Sequence, residues 1–112
     1  MAISHAQPGT IVNIQPLATK LDETKTHTLV KTDKIEVIRL ILKKGKEIAT
    51  HSTSAPITVQ CLEGRVSFST LGNDLDMRAG DLLFLNGGEP HSVKAVESAS
   101  ILLTILLAKS EI

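Results

Sequence analysis

Residues 80–91 read Gly80-Asp81-Leu82-Leu83-Phe84-Leu85-Asn86-Gly87-Gly88-Glu89-Pro90-His91, and the reading of this stretch decides the fold. Ala79-Gly80-Asp81 is a turn by composition, Leu82 to Leu85 is a short apolar strand, and the glycines and proline after it mark a bend. That bend delivers His91 onto the start of the next predicted strand, Ser92 to Val96. An earlier stretch, Gly45 to Gly64, supplies His51 at a strand in the same manner. Bends that each hand over one imidazole are a means by which a β-barrel furnishes its mouth with a ligand or a base.

Working outward, short apolar or β-branched runs recur with turn residues between them. Thr26 to Lys31, Ile35 to Leu42, Ile48 to Thr53, Ile57 to Leu62, Arg65 to Leu71, Leu75 to Arg78 and Ile101 to Leu107 all read as strands. Ile11 to Ile14 reads as a short edge strand, and Pro16, Leu17 and Leu21 fit a brief helical turn. Ser54-Ala55-Pro56 reads as a break, while Glu63-Gly64 and Leu71-Gly72-Asn73-Asp74 read as turns. No long amphipathic helix competes. The pattern predicts an all-β barrel or sandwich of about eight or more strands. The expected organisation is one domain over residues 1–112, with an N-terminal arm at 1–25 and the barrel at 26–109.

Composition narrows the partners. Lys and Arg number 12 and so do Asp and Glu, so no basic field is available to hold a phosphate backbone. Phe68 and Phe84 are the only aromatic side chains, too few for base or sugar stacking. Nucleic acid is therefore not expected as a partner. The longest apolar run, Ile101 to Leu107, is far short of the roughly 20 residues a membrane helix needs. Cys61 is the one cysteine, and the first residues lack a charged and an apolar signal region, so a cytoplasmic protein without disulfides is expected.

Ile101-Leu102-Leu103-Thr104-Ile105-Leu106-Leu107 does not alternate, so both faces of that strand want burial. One face lines the core. The expected cover for the other is a second copy, giving a homodimer, with the N-terminal arm as the alternative. On that reading Leu103→Glu or Ile105→Glu is expected to disrupt assembly or folding.

The two histidine stretches resemble the cupin family, in particular its small single-domain members. The first cupin motif is a glycine, five residues, His-x-His, three or four residues, a glutamate, six residues and a glycine. Here Gly45, His51, Thr53, Ile57 and Gly64 stand at those places, with Thr53 for the second histidine and Ile57 for the glutamate. In the second motif, a glycine, five residues, Pro-x-Gly, two residues, a histidine, three residues and an asparagine, the places hold Gly80, Asn86, Gly88, His91 and Ala95. The resemblance spans roughly residues 35–107 and implies a double-stranded β-helix, or jelly-roll, barrel of the RmlC-like kind.

In cupins that bind metal, the three imidazoles and the glutamate of these motifs hold one divalent ion. Only His51 and His91 match that set, which implies at most a weakly bound divalent metal such as Zn, Fe, Mn, Ni or Cu. Counting by twos puts Ile57, Val59 and Cys61 on one strand face, so Cys61 is either a third ligand or a small buried apolar residue. His5 and His27 read as surface residues. Nucleophile-elbow, phosphate-loop, zincin and dinucleotide motifs are absent, and the His–Tyr chemistry of cupin-type sugar epimerases has no tyrosine to use. The expected function is binding of a small, largely apolar molecule in a mouth lined by His51, Thr53, Ile57, Cys61 and His91. The alternative is a metal-dependent oxygenase, isomerase or decarboxylase using His51 and His91, and no catalytic residue is assigned.

Overall fold

Seven strands follow one 3-10 helical segment, Ala18–Glu23, in a computed structural model that describes residues 5–107. The strands are β1 (His27–Lys31), β2 (Ile35–Leu42), β3 (Glu47–His51), β4 (Ile57–Thr70), β5 (Asn73–Arg78), β6 (Leu82–Leu85) and β7 (His91–Leu106). All pairings are antiparallel, in the order β1-β2-β7-β4-β5, with β3 added to β7 and β6 added to β4. β4 and β7 are long enough to run through both layers of the roll. Their C-terminal and N-terminal ends meet at Thr70 and His91, their other ends at Ile57 and Ile105. This is an all-β jelly-roll.

The strand count is lower than the sequence suggests because two pairs of predicted strands are continuous. Ile57–Leu62 and Arg65–Leu71 merge into β4, which ends at Thr70, and Ser92–Val96 and Ile101–Leu107 merge into β7, which ends at Leu106. Glu63-Gly64 does not reverse the chain. It sits where the β4–β7 register slips, between Cys61 and Val66, as in a β-bulge. The slip changes the phase of the inward face from Ile57, Val59 and Cys61 to Val66, Phe68 and Thr70, so one strand serves two layers. Only glycine fits there: Gly64 has φ +80°, and a Cβ would lie 2.1 Å from the Ser98 carbonyl oxygen and 2.7 Å from Ala99 Cα.

The core lies between the layers, built by Leu42, Ile57, Val59, Cys61, Val66, Phe68, Met77, Leu85, Val93, Ala95, Ala99 and Ile101. Leu103 and Ile105 also pack against it. An acidic substitution at either therefore strikes the fold first, and the outward positions of β7 are Leu102, Thr104 and Leu106.

Residues 11–14 form no strand, and Ile11 is 94% exposed. The expected helical turn is present one residue after Leu17, and it packs Leu21, which is buried, against β7. The N-terminal segment thus covers part of the outer face that the non-alternating strand leaves apolar. The remainder, with Leu82, Phe84 and Leu106, is open. Of the expected arm and barrel, residues 1–4 and 108–109 lie outside the described residues. No helix among the described residues is long and apolar enough to cross a membrane.

Candidate functional site

Two loops build the site. The β3–β4 loop (52–56) and the β6–β7 loop (86–90) lie against each other, and the Gly88 amide donates to the Thr53 carbonyl at 2.7 Å. Gly87 makes the approach possible, since a Cβ there would be 2.4 Å from the Ser54 carbonyl oxygen. With the loops clamped, the last residue of β3 and the first of β7 pair across the ladder, His51 with His91. Their rings stand edge to face, centroids 4.4 Å apart. His91 is buried, and its ring stacks on Phe68 with centroids 5.5 Å apart. His51 is exposed at the rim.

Both rings are held by the same device. His51 Nδ1 lies 3.0 Å from the Ala49 carbonyl and His91 Nδ1 lies 2.9 Å from the Glu89 carbonyl, each two residues back along the chain. A carbonyl oxygen only accepts, so Nδ1 carries the proton and donates in each ring. The neutral ring then has its lone pair on Nε2.

Beneath the pair lies a cavity of about 130 Å³ lined by Leu40, Ile48, His51, Ile57, Val59, Phe68, His91, Val93, Ile101 and Leu103. Of the five residues expected at the mouth, His51, Ile57 and His91 line it. Thr53 does not; its hydroxyl donates to the Ala55 carbonyl at 2.9 Å and braces the loop. Cys61 shares the inward face of Ile57 and Val59 but is fully buried in the core, beyond the cavity. Its thiol is 3.5 Å from the Glu63 carbonyl and 3.8 Å from that of Gly64. Burial, more than any other influence, raises its pKa. Phe68, Leu40 and Leu103 were missed as lining residues because their position depends on which strands the roll brings together.

The donor set can be tested against the ion that the motif resemblance implies. Ile57 stands, 2% exposed, where a carboxylate would reach the histidines, and it offers no lone pair. Among the described residues no three His, Cys, Asp or Glu side chains come together. Two imidazoles alone do not fit a tightly chelated divalent metal.

A second polar cluster was not anticipated. Glu63, at the bulge of β4, accepts from the Leu17 amide at 2.9 and 3.0 Å, the Ala18 amide at 3.1 Å, Arg39 Nη2 at 3.0 Å and the Ser100 hydroxyl. Arg39 Nη2 also donates to the Gln15 carbonyl at 2.8 Å. Burial pushes the Glu63 pKa upward, but the hydrogen bonds from Ser100, Leu17, Ala18 and Arg39 outweigh it and leave the pKa lowered. The cluster pins the N-terminal segment on the outer face. His5 is exposed, and His27 is half-buried at the start of β1 with Nδ1 donating to the Lys25 carbonyl.

No protein-family model matches the chain, and no curated protein matches it. Solved structures do. A conserved protein of unknown function from Streptococcus pyogenes superposes with a TM-score of 0.75 at 21% identity, covering 98% of this chain and 97% of that one. An RmlC-like cupin from Shewanella frigidimarina gives 0.71 at 18% identity, over 76% of this chain and 77% of that one. A cupin superfamily protein from Desulfitobacterium hafniense gives 0.75 at 13% identity, over 92% and 100%. At such identities the likeness speaks for the fold alone, and it agrees with the strand order: this chain is a small protein with the cupin jelly-roll fold.

Proposed function

We propose that this protein binds a small, largely apolar molecule inside the barrel, with His51 and His91 as the directing polar groups. One observation carries the reading: the cavity under the histidines is walled by aliphatic side chains and Phe68, with Ile57 where a carboxylate would make it a metal socket. Apolar walls with few polar groups are the usual make-up of small-molecule pockets. The free, buried Cys61 agrees with work in a reducing cytoplasm.

The test is a thermal-melting screen of small apolar compounds on the wild type and on Val59→Phe, which fills the cavity. Hits that raise the wild-type melting temperature and do nothing to the filled variant support binding in the barrel. Near-stoichiometric metal in untagged protein, lost in His51→Ala and in His91→Ala, would overturn the reading in favour of a metal-dependent enzyme.

We propose also that the protein is a homodimer. What favours it is the open strip on the outer face, where Leu82 is 66%, Phe84 59% and Leu106 49% exposed. Pro56, Thr58 and Thr104 line the same surface as Phe84 and Leu106, and none of these carries a charge that a second copy would have to desolvate.

A further inference from the structure

We propose that the ligand of the barrel cavity is a hydrogen-bond donor, a small phenol or alcohol whose hydroxyl donates to the Nε2 lone pair of His91. This rests on the reading of the cavity as a binding site and adds the polarity that the ligand must have.

The geometry assigns it in three steps. Both Nδ1 protons are already given to backbone carbonyls, Ala49 at 3.0 Å and Glu89 at 2.9 Å, so neither neutral ring can turn its N–H toward a guest without giving up that bond. Among the described residues nothing bonds either Nε2, and the one fully enclosed side-chain polar atom lacking a partner is Arg39 Nε. His91 is buried and lines the cavity, and no described residue takes its Nε2. Finally, the other lining side chains, among them Leu40, Ile57, Val59 and Phe68, hold no donor and no acceptor. A guest with a carbonyl, ether or nitro group would set lone pair against lone pair, whereas a hydroxyl satisfies the acceptor. The apolar part is bounded by volume. A cavity of about 130 Å³ suits a body of roughly six to eight non-hydrogen atoms, since an apolar cavity of about 150 Å³ takes benzene.

The experiment uses three probes of about seven or eight non-hydrogen atoms on the full chain at about pH 8: phenol, toluene and anisole, with zinc ion alone as a fourth arm. Phenol is expected to bind about tenfold tighter than toluene, the worth of one hydrogen bond, and to move the 15N resonance of His91 Nε2. Anisole is expected to bind more weakly than toluene. In His91→Phe the advantage of phenol over toluene should vanish; the wild-type ratio stands by itself if that variant does not fold. Equal binding of phenol and toluene overturns the donor inference and leaves the cavity reading intact. Binding of none of the organic probes overturns both. A melting shift from zinc alone, with none from phenol, assigns the lone pairs to a metal and overturns the inference.

Discussion

Glu63 is the side chain whose loss should be felt most outside the core. Breaking a buried ion pair costs about 3–5 kcal/mol, but Glu63 keeps some contact with solvent and a glutamine retains one carbonyl acceptor. Glu63→Gln is therefore expected to destabilise by about 2 kcal/mol in urea unfolding. The sign of its pH dependence follows from its lowered pKa. Its stabilisation is complete above the ordinary glutamate value near 4.5, because there the unfolded chain is ionised too. As pH falls below that, the unfolded carboxylate protonates first, and stability drops until the folded carboxylate protonates as well. Asp76, held low by its hydrogen bond from Arg65, titrates in both proteins, so the wild-type-minus-Glu63→Gln difference reports Glu63. Leu71 offers the opposite case. It occupies the left-handed region at φ +52° and is 67% exposed, in a two-residue hairpin turn with Gly72. Leu71→Asn is expected to stabilise by about 1 kcal/mol, the order of the penalty for an L-residue there; an unchanged denaturation midpoint would count against this.

The decisive elements are the two loops, not the strands they join. The histidine pairing depends on the 86–90 loop lying flat on the 52–56 loop, and Gly87 is the position where the backbones come close. Gly87→Ala should push the loops apart and uncouple the rings while the rest of the sheet is kept. The expected signature is loss of the nuclear Overhauser contacts between the His51 and His91 rings with near-native circular dichroism. The second-motif glycine that the sequence pattern emphasises, Gly88, has open space around it and is needed for its φ of +86° instead. Strand positions were legible because alternation and turn residues are local properties. The continuity of β4 through Glu63-Gly64 was not, because a bulge and a turn share the same residues. What separates them is the partner, here β7.

For the whole molecule, the open question of the outer face has two answers at its two ends. The segment from Gln15 to Leu21 covers one end, tied down by Glu63 and Arg39; Leu82, Phe84 and Leu106 remain at the other. If a second copy covers them, Phe84→Glu and Leu106→Glu should give a folded monomer in analytical ultracentrifugation where the wild type sediments as a dimer. A wild type that stays monomeric at micromolar concentration removes the proposal. Substitutions at Leu103 or Ile105 test something else, since both face the core.

Read alone, the chain determined that it is an all-β barrel or sandwich with His51 and His91 delivered by bends, while Ile57 in the place of an acid followed from its resemblance to the cupin motif. These are matters of residue type and spacing along one strand or turn, which local geometry converts directly into structure. Only the tertiary structure decided that the rings sit 4.4 Å apart with Nδ1 committed to the backbone, that Cys61 and Thr53 stand outside the cavity, and that Glu63 locks the N-terminal segment down. Each of those depends on residues far apart in sequence meeting across β4 and β7, a register that no single segment encodes.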